Sequence, residues 1–132
     1  MVEPISNSVR IVLIVQLTLT RAGLRAMLER VPYFHLVGEA SNVQDALKII
    51  AREDPNIILF DSDAADSTDL DAMSALLAAA SDARLVLITT KTDANLQERA
   101  VELGAMGIVD RSQTADTLIK ATISSPKTIF SH

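Results

Sequence analysis

Asp61 is the residue best placed to do chemistry. It closes the unbroken apolar run Ile57-Ile58-Leu59-Phe60, which Pro55-Asn56 opens, and an acidic stretch from Asp61 to Asp71 follows. Such a run suits a strand buried on both faces of a parallel sheet. Open α/β sheets place their ligands outside the carboxyl ends of their strands, which is where Asp61 falls. Two other polar residues close apolar runs further on: Thr89 after Leu85-Val86-Leu87-Ile88, and Arg111 after Gly107-Ile108-Val109 and Asp110. Other chemistries lack their parts. Asp61-Ser62-Asp63-Ala64-Ala65-Asp66 has acids at calcium-loop intervals but not the glycine or the bidentate glutamate at the required places. His35 and His132 have no third ligand nearby for zinc and read as surface residues. No P-loop and no nucleophile–base pair is visible, so an enzyme is not expected.

The elements that must position Asp61 fit one domain of 132 residues, of which 48% are hydrophobic. No apolar run approaches the roughly 20 residues of a membrane span. The start, Met1-Val2-Glu3-Pro4, lacks the basic n-region of a signal peptide, and cysteine is absent. Both features predict a cytoplasmic protein with no membrane partner. The net charge is -5, the 12 basic residues are scattered, and aromatics are only 3%. The domain itself is therefore not expected to bind nucleic acid.

In chain order, Met1–Ser8 reads as a leader and Arg10–Val15 as the first strand. A helix from about Thr20 to Arg30 follows, with Leu24, Met27, Leu28 and Val31 on one face and Pro32 as its stop. His35–Ala40 reads as the second strand. Ser41 or Asn42 caps the second helix, with Gln44 placed for a capping box and Val43, Ala46, Leu47 and Ile50 inward. The third helix is predicted over Asp69–Ala80, with Leu70, Met73, Leu76, Leu77 and Ala80 inward and Asp69 and Asp71 favoured by the dipole of its first turn. The fourth strand ends at Thr89-Thr90. Thr92 or Asp93 caps the fourth helix, where Leu96, Ala100 and Leu103 share a face and Gly104 is the stop. After the short fifth strand, Thr114 caps a last helix to about Ile123. Residues 124–132 form a tail, or the start of a linker to an output domain. Five strands alternating with five helices predict an α/β doubly wound parallel sheet, in the flavodoxin-like order 2-1-3-4-5. Val15-Gln16 and Phe60-Asp61 should then line one crevice.

With these residues in place, the chain resembles the receiver domain of bacterial response regulators, closest to the NarL/FixJ (LuxR) type. The likeness runs from Arg10 to Ile123 within a domain of residues 9–123. It is carried by Arg21-Ala22-Gly23-Leu24-Arg25-Ala26-Met27-Leu28-Glu29, by Val37-Gly38-Glu39-Ala40 and by Gly104-Ala105-Met106-Gly107. The resemblance implies two-component signalling, in which a histidine kinase transfers a phosphoryl group to an aspartate. It implies Asp61 as the phosphoacceptor or its relic, and Thr89 as the hydroxyl residue drawn toward the acyl phosphate. In-line attack by a carboxylate needs a divalent cation and a fixed ammonium to offset charge on the phosphoryl oxygens. The family's pair of adjacent acidic residues falls on Val15 and Gln16, its lysine on Arg111, its switch aromatic on Ile108, and its Met-Pro-Gly on Ala64-Ala65-Asp66.

These departures predict an atypical receiver with weak or no magnesium binding, in which Arg111 pairs with Asp61 directly. The expected partners are signalling proteins, namely a histidine kinase or an output domain, and a second copy through Ala78-Ala79-Ala80 or the last helix. The rival is a conventional phospho-accepting receiver of a DNA-binding transcriptional regulator whose helix-turn-helix domain lies outside this chain. A flavodoxin relative is disfavoured, because Gln16-Leu17-Thr18-Leu19-Thr20 has no glycine and Tyr33 is the sole tyrosine.

Overall fold

A computed structural model describes residues 8–62, 67–80, 82–90, 94–104, 107–110 and 120. Strands β1 (Val9–Ile14), β2 (Phe34–Ala40), β3 (Ile57–Asp61), β4 (Arg84–Thr89) and β5 (Gly107–Asp110) alternate with helices α1 (Thr18–Leu28), α2 (Val43–Glu53), α3 (Ser67–Ala79) and α4 (Ala94–Leu103). All strand pairs are parallel, and the order is β2-β1-β3-β4-β5. The expected topology is therefore the observed one. Lys120 is helical, within the range expected for a fifth helix. The remainder of that helix, Arg111, the caps Thr92 and Asp93, Lys91, His132 and the tail lie outside the described residues.

Strand alternation splits the core into two layers. Val12, Ile14, Ile58, Phe60, Leu85 and Leu87 face α2, α3 and α4 through Ala46, Ile50, Met73, Leu76 and Ala100. Ile11, Leu13, Ile57, Leu59, Val86 and Ile88 face Leu24 and Leu28 of α1. Ile57, Ile58 and Leu59 are completely buried and Phe60 nearly so. Each such side chain contributes roughly 1.5–3 kcal/mol of burial. A strand buried on both faces has no position for a polar side chain until it ends, and β3 ends at Asp61.

Local physics moves several expected boundaries. α1 begins at Thr18 and ends at Leu28, before Pro32; Arg30 N–H and Val31 N–H then donate three residues back, to Met27 and Leu28, which tightens the chain out of the helix. α2 is capped by Asn42, whose side chain accepts from the backbone N–H of Asp45 at 2.8 Å. The partner three residues on is thus Asp45, and Gln44 takes no part in a capping box from Ser41. α2 ends on Asp54 in the left-handed region (φ 49), and α4 on Gly104 with φ 96, as glycine there permits. Leu103 does not share Ala100's burial, being 37% exposed. Ala80 is buried, so only Ala78 and Ala79 of the expected small-residue surface face outward. No helix among the described residues is long and apolar enough to cross a membrane.

β2 carries a register shift opposite Ile11 and Val12, after which Gly38 pairs with Val12. A Cβ on Gly38 would collide with Cγ2 of Ile49 in α2. Glycine here serves close approach of helix to strand. Gly38→Ala is expected to destabilise the domain by about 1–3 kcal/mol through overpacking, measured as a lower urea midpoint at unchanged m-value.

Candidate functional site

The carboxyl ends of β1 and β3 open into a crevice of about 310 Å³. Gln16, Ser41, Asn42, Asp61, Ser62 and Asp69 supply its polar lining, and Ile14, Val43, Phe60 and Ala72 its apolar floor. Topology explains the meeting. β1 and β3 are sheet neighbours with Ile14 opposite Phe60, so the residues that follow each strand emerge side by side. β2 lies on the far side of β1, and the turn into α2 brings Ser41 and Asn42 to the same opening.

Asp61 is half-buried and lies opposite Ile88 of β4, one residue short of Thr89. Thr89 is fully buried and pairs in register with Asp110 of β5. Arg111 follows Asp110 but is outside the described residues. Ile108 is buried in the layer that faces α2 to α4. Gln16 is exposed at the crevice, whereas Val15 is 1% exposed and belongs to the opposite core layer with Leu24 and Leu28. The expectation that Val15 lines the crevice is thus corrected. Strand alternation continues one residue past the end of β1 and turns this side chain toward α1.

Two features escaped the sequence reading. The first is Asp69, expected only as a dipole-favoured residue of the first turn of α3. Its side chain is buried, with 2% exposure, and Ser62 Oγ donates to its Oδ1 at 2.6 Å. The backbone N–H of Ser62 also donates to the carbonyl of Ile88 at 2.9 Å. A hydroxyl–carboxylate pair therefore exists beside Asp61, although residues seven apart in sequence carry no local signal of it. The second lies behind the crevice. Arg25 grips Glu39 of β2 through Nε at 2.7 Å and Nη2 at 3.0 Å. Arg21 Nε stands 3.4 Å from the same carboxylate, while its Nη1 donates to the carbonyl of Val15 at 2.8 Å. The hydrogen bond to Glu39, and then its charge, raise the pKa of the Arg25 guanidinium. Arg21 and Arg25 stood out in sequence only as part of a motif. Their common partner becomes visible once β2 lies beside β1.

Among the described residues no group of three or more His, Cys, Asp or Glu side chains could hold a metal ion. Among the described residues the crevice offers two carboxylates, Asp61 and Asp69, and the second already accepts from Ser62.

Residues 11–123 match the response regulator receiver domain family. The chain belongs to that family. This receiver is 26% identical over 103 residues to the response regulator UvrY of Escherichia coli, covering 78% of this chain and 47% of UvrY. It is 24% identical over 115 residues to the transcriptional regulatory protein DegU of Brevibacillus brevis, covering 87% of this chain and 49% of DegU. The receiver spans about half the length of these curated relatives. In fold it is similar to the signal receiver domain of NarL from Mycobacterium tuberculosis, with a TM-score of 0.78 at 24% identity over 92% of this chain and 98% of that one.

Asn42 both borders the crevice and caps α2. Asn42→Ala is expected to cost about 1 kcal/mol, read as a fall in melting temperature of roughly 4 °C. Asn42→Asp should retain most of that stability, because a carboxylate can still accept from Asp45 N–H.

Proposed function

We propose that this receiver is atypical: it acts in two-component signalling through protein contacts and does not cycle by magnesium-assisted phosphorylation of Asp61. The observation that carries this reading is where β1 ends. Its last core side chain, Val15, is turned into the layer against α1, and the next residue, Gln16, offers a neutral amide. No carboxylate from β1 reaches the crevice.

Magnesium demands a near-octahedral shell of hard oxygens and usually takes one or two carboxylates with water and phosphate. Asp61 with the neutral Gln16 is a weak version of that set, and Asp69 has Oδ1 engaged by Ser62. This donor set does not fit the ion well. Without a cation, phosphoryl transfer to Asp61 would bring a dianion toward Asp61 and Asp69 with nothing described in the crevice to offset it.

In this reading Asp61 is the relic of a phosphoacceptor. Arg111, the next residue in sequence after β5, is its expected permanent guanidinium partner in this reading. Such a pair adds little net stability when partly exposed, but it fixes a pose. Ile108 occupies the position of the family's rotating aromatic. A branched aliphatic side chain packed in the core has no in-and-out ring states with which to report on Thr89. The partners are a histidine kinase or an output domain. A second copy meeting the exposed Ala78 and Ala79 is a further one.

Magnesium up to about 10 mM with acetyl phosphate is expected to leave the Asp61 and Thr89 NMR signals in place and to add no mass to the wild-type chain. Gln16→Asp, which returns one carboxylate to the crevice, should acquire magnesium-dependent shifts at both residues. Prompt phosphorylation of wild-type Asp61 with an accompanying shape change would overturn the reading.

A further inference from the structure

Ser62 touches three parts of the molecule. Its Oγ donates to Asp69 in the first turn of α3 at 2.6 Å, and its backbone N–H donates to Ile88 of β4 at 2.9 Å. The residue before it is Asp61, and the residue after Ile88 is Thr89. One residue therefore links the ends of two sheet strands, through its backbone, to the start of one helix, through its side chain.

The acceptor is what makes this link strong. Asp69 is 2% exposed, and a hydrogen bond donated to a buried carboxylate is charge-assisted and little weakened by competing water. The hydroxyl and the carboxylate therefore constrain each other. The contact also sits next to a surface feature. Leu70, the next residue, lines a separate groove of about 270 Å³ between α3 and α4, with Asp71, Ser74, Arg99, Glu102 and Leu103. That groove is exposed at Leu103, which is 37% accessible. Any change in the seating of Asp69 moves Leu70 and Asp71 with it, because the three are consecutive residues of one helical turn.

We propose that the Ser62–Asp69 hydrogen bond is a latch that couples the crevice to the α3–α4 groove. It sets the seating of α3 from the end of β3, so the groove reports on the strand ends through α3 and not through a side chain on β5. The proposal rests on the reading of Ile108 given above, in which the β5 route is silent.

The test compares the full chain with Ser62→Ala, Ser62→Thr and Asp69→Asn, by methyl and amide NMR together with hydrogen exchange. Ser62→Ala is expected to shift the methyl signals of Leu70 and Leu103 and to speed exchange of the Asp69–Met73 amides about tenfold or more. Amides of β1, β2 and α1 should keep their wild-type rates. Ser62→Thr, which retains the hydroxyl, should restore the wild-type pattern, and Asp69→Asn should shift the groove signals in the same direction as Ser62→Ala. If Asp69→Asn fails to fold, the Ala and Thr pair at Ser62 decides the matter. Unmoved groove signals in Ser62→Ala would overturn the latch. Faster exchange spread evenly over all elements would overturn it too, since that is general destabilisation. Neither result touches the magnesium experiment on the wild-type chain, whose failure would instead remove the atypical reading of Asp61.

Discussion

A parallel sheet covered on both faces confines chemistry to one edge. Every strand of this domain pairs in parallel, so every strand ends on the same side. The interior positions of β1, β3 and β4 are claimed by two apolar layers. A polar side chain placed inside either layer would need a partner there or cost several kcal/mol. The polar residues of consequence therefore gather where the layers stop: Gln16, Asp61, Ser62 and Thr89. The crevice is a product of topology before it is a product of any particular residue.

That dependence explains why so much was legible in sequence. A run such as Ile57–Phe60 announces a doubly covered strand by composition alone, and helix faces such as Ala46–Ile50 announce themselves by spacing. Alternation of the two signals leaves few topologies, and β2-β1-β3-β4-β5 is among the commonest. Asp61 and Gln16 could then be placed together with no contact known. The errors share one cause. Gln44 and Leu103 were assigned from spacing along one element, whereas their surroundings are set by other elements; Ala80, inward by spacing, is buried and so is not part of the small-residue surface. Val15 differs slightly: it was read as the last residue of the strand and as crevice lining, whereas alternation turns it into the core layer against α1.

Residues joined across the chain were the least legible. Ser62 and Asp69 belong to different elements, and each alone has an ordinary local reading, as a strand-end hydroxyl and as a first-turn acid. Burial turns them into a pair, and burial is a tertiary property. The same holds for Arg21, Arg25 and Glu39, which come from a helix and an edge strand and meet because β2 lies beside β1. On that side the guanidinium of Arg21 also holds the last carbonyl before Gln16, so the exit of β1 is tied down by an arrangement independent of any metal ion.

These permanent contacts bear on what kind of signal the domain can carry. A ligand shifts a conformational equilibrium only by the difference in its affinity for the two states. To move a population from 1:99 to 99:1 takes about 5.5 kcal/mol of such difference. In a receiver that cycles, phosphoryl and metal supply it at the crevice. On the atypical reading proposed above, in which β1 gives no carboxylate and the strand ends are held by Arg21, Ser62 and Asp69, the crevice contributes little of that difference. The discrimination must then come from surfaces that differ between poses and that a partner can touch. The α3–α4 groove lies at the surface, and under the latch proposed above its seating follows that of Asp69. A receiver built this way would transmit which partner is bound, and its output would follow the concentration of that partner in place of a phosphoryl supply.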